Sequence, residues 1–299
     1  MSAFENQRSN QAFAGRRRGG SERAGQQRLF EEIAELVRRE TGIALTAARK
    51  AQLFAKIRRR CHALGFQDVT NYAQLLLSGQ RGPAELETLV SLATTNVTEF
   101  FRHREQFDVF ENVVMPELLA ARRDRRLLRI WSAGCATGEE VYSIAMIVLE
   151  KLGVGSGWDV KVLGTDLSRR ALTVAERGVY TTKELQNVPG ALIKRYFRRS
   201  TQEGTMEVTD RLRGVTLFRR LNLMNRTYPL RKDVDVIFFR NVAIYFEPDI
   251  RRAVLFRIAD HLRPGGFLVL GPAENLMDMR ERFVPVRANV FRKCFPGAR

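Results

Sequence analysis

The sequence predicts an α/β protein: a Rossmann-like domain with a small antiparallel β insertion, preceded by a small all-helical N-terminal domain. Three stretches carry that prediction. The first is an apolar run at 127–133, which opens through Ala133-Gly134-Cys135-Ala136-Thr137-Gly138 onto a helical run to Leu152; a second strand at 160–166 follows, a βαβ beginning. The second is Val234-Asp235-Val236-Ile237-Phe238-Phe239, nearly continuous in apolar residues, as strands buried on both faces of a parallel sheet are. The third is the region from Leu29 to Ala93, where apolar residues recur at helical spacing.

Bulk composition bounds the rest. At 299 residues and 44% hydrophobic, the chain can build one large domain or two smaller ones. It contains no apolar run near the roughly twenty residues of a membrane helix, and no apolar signal core at the N-terminus. A soluble, cytoplasmic protein without membrane insertion is expected. Cys61, Cys135 and Cys294 are widely separated, and His62, His103 and His261 share no ligand spacing, so neither a disulfide framework nor a metal site is expected. A net charge of +17 favours a polyanionic partner, whether nucleic acid, a membrane surface or a glutamate-rich protein.

In chain order, residues 1–27 are rich in Arg, Gln, Gly and Ser and have almost nothing to bury, which predicts a disordered basic tail. Residues 28–93 form the helical domain. Leu29, Ile33, Leu36 and Val37 mark a first helix, stopped by Thr41-Gly42. A second, from about Thr46 to Leu64, puts Leu53, Ile57, Cys61 and Leu64 on one stripe and Arg49, Lys56, Arg59 and Arg60 on another. That basic stripe is either a solvated face or a docking surface for an acidic partner. Val69 to Leu77 and Pro83 to Ala93 complete the unit.

The segment 94–299 is the α/β domain. Glu105 to Arg122 reads as a helix broken at Pro116, and Ser168 caps a helix running to Arg177. Residues 178–221 interrupt the βα rhythm with a helical stretch near 191–197 and short strands near 206–208 and 215–218, and read as the inserted β subdomain. Arg240-Asn241 sits at the carboxyl end of the apolar strand, where such sheets bind ligands. A helix from Pro248 to Leu262, a stop at Arg263-Pro264-Gly265-Gly266, a strand at 267–270 and a closing hairpin at 283–294 finish the chain.

The glycine turn and the acid after the second strand indicate the ligand. Gly134 and Gly138 let a ligand approach the backbone, and Asp166 at a strand tip can accept ribose hydroxyls, so the pair suits an adenosine. A plain strand–turn–helix corner has the same spacing. Glu139 and Glu140 directly after the turn disfavour a pyrophosphate, and S-adenosylmethionine, cationic and without phosphate, fits better than NAD.

Four stretches together resemble the CheR family of chemoreceptor glutamate O-methyltransferases: Thr94-Thr95-Asn96-Val97-Thr98-Glu99-Phe100-Phe101-Arg102, the WSAGCATGEE turn at 131–140, Asp166, and Arg240-Asn241-Val242-Ala243-Ile244-Tyr245-Phe246. The resemblance spans roughly Leu29 to Phe295. It implies a class I methyltransferase domain and transfer of a methyl group from S-adenosylmethionine to receptor glutamates, leaving S-adenosylhomocysteine, with no metal. It implies further that Asn96, Thr98, Arg102, Glu140, Asp166, Asn222, Leu223, Arg240 and Asn241 contact S-adenosylmethionine, that Arg102 and Tyr245 lie near the transferred methyl, and that Arg49, Lys56, Arg59 and Arg60 dock the cytoplasmic helices of the receptor.

Departures from the family pattern lie at Phe239, where many members carry Cys, and at Pro272-Ala273, where they carry His-Ser. The stretch Arg198 to Gly204 is shorter and poorer in glycine than in members that grip a C-terminal receptor peptide, so binding of such a tether is not expected. Two alternatives stand beside this reading: a nucleic-acid methyltransferase, suggested by the charge but lacking an Asn/Asp-Pro-Pro-aromatic motif, and a non-catalytic S-adenosylmethionine-binding signalling module. Specific nucleic-acid binding is not expected, and a monomer is.

Overall fold

The computed structural model describes residues 25–78, 82–94, 96–153 and 155–295, so nearly all of the expected basic tail lies outside the described residues. The chain divides into two compact units, with the boundary between Ala93 and Thr94.

The first unit is helical: α1 (25–41), α2 (Ala47–Ala63), α3 (Val69–Leu77) and α4 (Gly82–Ala93). Two of the starts are written in side-chain chemistry. Thr46 caps α2 by accepting from Arg49 N, and Asp68 caps α3 by accepting from Thr70 N. The apolar stripes close on one another through Phe30, Ile33, Val37, Leu53, Ile57, Cys61, Tyr72 and Leu89. Into this core Tyr72 brings a hydroxyl, which donates to Glu85, and Glu85 also pairs with Arg60 at 3.1 Å.

The second unit begins with α5 (Arg104–Val109), a five-residue π turn (Phe110–Val114) and α6 (Met115–Ala121). Pro116 is the second residue of α6, and the interruption expected at it is the π turn just before, within a helix that otherwise runs on. The main sheet has seven strands in the order β6-β2-β1-β7-β8-β10-β9, comprising β1 (Leu127–Ala133), β2 (Asp159–Asp166), β6 (Thr216–Arg220), β7 (Val234–Phe239), β8 (Leu262–Leu270), β9 (Phe283–Arg287) and β10 (Val290–Lys293). From β6 to β8 neighbours run parallel; β10 is antiparallel to both β8 and β9. Crossovers include α7 (Glu139–Leu152), α8 (Arg169–Arg177) and α11 (Pro248–His261). The glycine pair at 265–266, read from sequence as a stop, lies within β8, which absorbs it with a shift in register against β7.

One boundary differs from expectation. The inserted subdomain holds β3 (Val179–Thr181), α9 (Gly190–Tyr196), β4 (Phe197–Arg199), β5 (Thr205–Val208) and α10 (Asp210–Val215), with the small antiparallel sheet ordered β3-β5-β4. Thr216–Arg220, assigned from sequence to that insertion, instead forms the edge strand of the main sheet, from Val162↔Thr216 to Asp166↔Arg220. An edge strand is half solvated, so Thr216, Arg219 and Arg220 surround only two apolar residues, a pattern shared by a hairpin strand.

Two apolar layers cover the faces of the sheet, and β7 shows how. Val236 and Phe238 point into one layer, Ile237 and Phe239 into the other, all fully buried. Phe239 is therefore core, each such ring contributing about 2–3 kcal/mol by leaving water.

Candidate functional site

The carboxyl ends of β1, β2 and β7 meet where the strand order reverses, the position at which open α/β sheets hold ligands. Gly134 leaves β1 at φ 89°, and its N–H donates to Thr165 O at 2.7 Å. A Cβ there would stand 2.3 Å from Val242 Cγ2, so only glycine permits the turn to pass beneath that side chain. Asp166 fastens the same turn from β2: Oδ2 accepts from Ala136 N at 2.9 Å and Oδ1 from Ser168 N at 2.8 Å. Burial pushes its carboxyl up, opposed by these N–H groups. The Leu167 N–H also bears on the carboxylate, and of its roughly four acceptor positions at least one remains for a ligand.

The two acids after the turn are each held by partners within the protein. Glu139 is buried and turned onto Thr137, whose hydroxyl lies 2.9 and 2.7 Å from its two oxygens; burial raises its carboxyl above the ordinary range. Glu140 accepts from Ser132 Oγ at 2.8 Å and pairs with Arg240 Nε at 2.8 Å. Neither presents a bare charge, so Asp166 is the group that disfavours a phosphate at the turn. A phosphate at the turn would meet that carboxylate, whereas nucleoside hydroxyls would be accepted by it.

Arg240, at the end of β7, joins three segments. Besides Glu140, its Nη1 donates to Arg102 O at 2.9 Å and to Gln106 Oε1 at 2.8 Å, and its guanidinium lies 4.9 Å from the centre of the Phe107 ring. Gln106 in turn donates to Leu270 O at 2.5 Å and Ala288 O at 2.9 Å. Arg102 folds its own loop by donating to Val97 O at 2.8 Å; the half-buried Asn96 and Thr98 belong to that loop. The expected residues Glu140 and Arg240 are thus paired side chain to side chain, and Arg102 joins them through its backbone carbonyl.

Asn222 and Leu223 follow β6, where Leu221 N donates to Asp166 O at 3.0 Å. Asn222 Oδ1 accepts from Met224 N, and Leu223 O receives Tyr228 Oη and Arg257 Nη2. Asn241 adopts φ 60°, and a short 3-10 turn, Ala243–Tyr245, presents a half-buried Tyr245. Pro272, one of the departures noted above, lines with His103, Gln106 and Asn289 a cavity of about 410 Å³.

Two site-forming residues were not singled out from sequence. Glu274 receives the N–H groups of Asn241, Val242, Ala243 and Gly271, and Gln106 receives Arg240. Glu274 follows β8 at the ligand edge, a position that could have flagged it; Gln106 carries no comparable signal.

The four basic residues of α2 divide, within the helical unit. Arg60 pairs with Glu85, Lys56 Nζ donates to Leu92 O at 2.7 Å, and Arg49 Nη1 donates to Ala44 O at 3.2 Å. Arg59 is exposed. Lys56 and Arg60 therefore tie α2 to α4, and the stripe is neither wholly solvated nor wholly available to a partner.

Comparison with known proteins agrees over nearly the same range. The model of the CheR methyltransferase SAM-binding domain matches residues 96–291, and that of the CheR methyltransferase all-alpha domain matches residues 28–94. The chemotaxis protein methyltransferase of Escherichia coli K12 is 35% identical over 257 residues, covering 85% of this chain and 86% of that protein. Chemotaxis protein methyltransferase 2 of Pseudomonas aeruginosa is 34% identical, covering 83% and 86%. The chemotaxis protein methyltransferase of Vibrio parahaemolyticus is 37% identical, covering 67% and 72%. Among the described residues no cluster of three or more His, Cys, Asp or Glu could hold a metal ion, and no helix is long and apolar enough to cross a membrane.

Proposed function

The chain belongs to the CheR methyltransferase family, and on that premise we propose that it methylates glutamate side-chain carboxylates on the cytoplasmic helices of chemoreceptors, giving methyl esters and S-adenosylhomocysteine in chemosensory adaptation. One observation supports this acceptor above others. Three glutamates around the site are already engaged: Glu140 by Arg240 and Ser132, Glu139 by Thr137, and Glu274 by four backbone N–H groups. Such a site suits an acceptor that arrives already ionised, as a glutamate does at neutral pH, rather than one that must first lose a proton.

Bound S-adenosylmethionine supplies an electrophilic methyl group. Asp166, Asn222 and Leu223 would hold the adenosine end, and Asn96, Thr98, Glu140, Arg240 and Asn241 would line the rest of the pocket. Arg102 would hold the incoming carboxylate by a charge-assisted hydrogen bond and Tyr245 would orient one of its oxygens, so that the rate derives from alignment in a site with little water. Arg59, with Arg49, Lys56 and Arg60 where their internal contacts permit, would dock the acidic receptor. We further propose that the protein acts as a cytoplasmic monomer and does not bind a C-terminal receptor tether. In support, Ser200 N donates to Thr205 O across the tight β4–β5 hairpin, which leaves little loop to grip a peptide; tight binding of such a peptide in titration calorimetry would overturn this point.

The direct test uses radiolabelled S-adenosylmethionine with a soluble receptor cytoplasmic fragment and a nucleic-acid control. Alkali-labile label on the receptor, lost in Arg102→Ala, is expected. Label on RNA or DNA instead, or cofactor binding with no transfer, refutes the assignment.

A further inference from the structure

Glu274 is 5% exposed, and its two oxygens divide four backbone donors. Oε2 accepts from Asn241 N at 3.0 Å and Gly271 N at 2.7 Å; Oε1 accepts from Val242 N at 3.0 Å and Ala243 N at 2.8 Å. Three successive N–H groups, beginning with that of the left-handed Asn241, converge into a concavity of the kind that binds anions. Here the anion is the chain's own carboxylate.

We propose that Glu274 is a positioning residue for methyl transfer, its carboxylate filling this nest and thereby fixing the turn that carries Asn241 and Tyr245. The proposal rests on the roles given to those two side chains in the preceding subsection. A buried carboxylate is a costly way to shape a loop, and burial pushes the Glu274 carboxyl above its ordinary range; the four convergent N–H dipoles offset that cost in part. The same carboxylate holds Asn241 at φ 60°, a conformation asparagine tolerates but does not prefer. It also anchors Val242, whose side chain lies over Gly134, so the acceptor-side turn and the cofactor-side turn are set by one group. Asn289 steadies the acid from behind by donating to Gly271 O at 2.9 Å and Glu274 O at 3.4 Å.

Glu274→Gln tests this because it preserves shape while its amide can face only part of the nest with oxygen; at least two N–H groups then meet an NH₂. With receptor fragment as acceptor, kcat is expected to fall about tenfold to a hundredfold, as for a sub-ångström misplacement, with a much smaller change in KM for S-adenosylmethionine. Glu274→Asp, which keeps the charge, is expected to recover part of that rate. Amide exchange over 241–243 is expected to accelerate while β1 and β7 stay protected. Wild-type kcat in Glu274→Gln, or a rate loss that only follows the unfolded fraction, overturns the proposal. If the wild-type protein transfers nothing to the receptor fragment, the acceptor assignment fails on its own. Exchange over 241–243 and affinity for S-adenosylhomocysteine then decide this one, and no change in either variant overturns it.

Discussion

Asp235, near the start of β7, and Glu274, just past the end of β8, are both buried carboxylates, yet they are satisfied in opposite ways. Asp235 Oδ1 receives Arg122 Nε at 2.7 Å and Arg263 Nε at 2.6 Å, and Oδ2 receives Arg129 N at 2.9 Å. It pins the end of α6 and the start of β8 by charge against charge, and the start of β1 through one backbone amide. Glu274 pins one turn through neutral backbone dipoles. The amino edge of the sheet thus uses ion pairing to hold elements together, while the carboxyl edge uses backbone donors to aim a loop. Breaking the first should cost stability, and breaking the second should cost rate.

The largest effect is expected at the amino edge. Asp235→Ala leaves the Arg263 guanidinium without its carboxylate and Arg122 with Asp233 alone, in side chains only 14% and 7% exposed. Denaturant unfolding should show a loss of about 3 kcal/mol, the lower end for an uncompensated buried charge because Asp233 still pairs with Arg122, with near-normal specific activity in the folded fraction. A specific activity that collapses before the fold does would erase the distinction between the two edges.

Arg240→Met comes next and sits where the two modes mix, because Arg240 is an ion-pair partner at the ligand edge. It should cost about 2–4 kcal/mol by stranding Glu140, and methyl transfer should fall at least a hundredfold. Gly134→Ala should cost about 1–3 kcal/mol from its φ of 89° and its collision with Val242, read as weaker S-adenosylhomocysteine binding in calorimetry. In the helical unit, Arg60→Ala should lower stability by about 1 kcal/mol through loss of its pair with Glu85. A docking role alone would leave stability unchanged and weaken only receptor binding.

The smallest effect concerns pH. The Glu139 carboxyl is raised in the folded protein from an ordinary value of 4.5. As pH climbs through 4.5 the unfolded chain gives up this proton before the folded one does, so unfolding is progressively favoured until the folded group also ionises. Glu139→Gln removes that decline, so the variant should hold its stability between pH 4.5 and 7 where the wild type loses some, as denaturant unfolding at a series of pH values would show. Identical pH profiles for variant and wild type would show that Thr137 fully offsets the burial.

Much of the architecture was readable because it rests on local signals. The apolar run of β7, the Thr46 and Ser168 caps and the glycines at 134 and 138 each declare an element or a turn within a few residues. The same holds for Asp166, Arg240 and Asn241, which stand at strand ends. What escaped depends on pairing across the chain. Glu274 is recognised by backbone donors, which carry no residue identity. Arg60 looks like any solvated arginine until α4 delivers Glu85. Thr216–Arg220 reads as a hairpin strand because a parallel edge leaves the same half-polar trace.

The π turn at Phe110–Val114 ties the two edges of the sheet together. In an uninterrupted α-helix, residues 106 and 122 would lie about 160° apart around the axis, on opposite sides. One extra residue accommodated in a wider turn brings that angle to about 60°. Gln106 can then meet Arg240 at one end of β7 while Arg122 meets Asp235 at the other. The bulge thus acts as a rotational phase correction: removing a single residue there would leave the helix able to satisfy one edge of the sheet only by releasing the other.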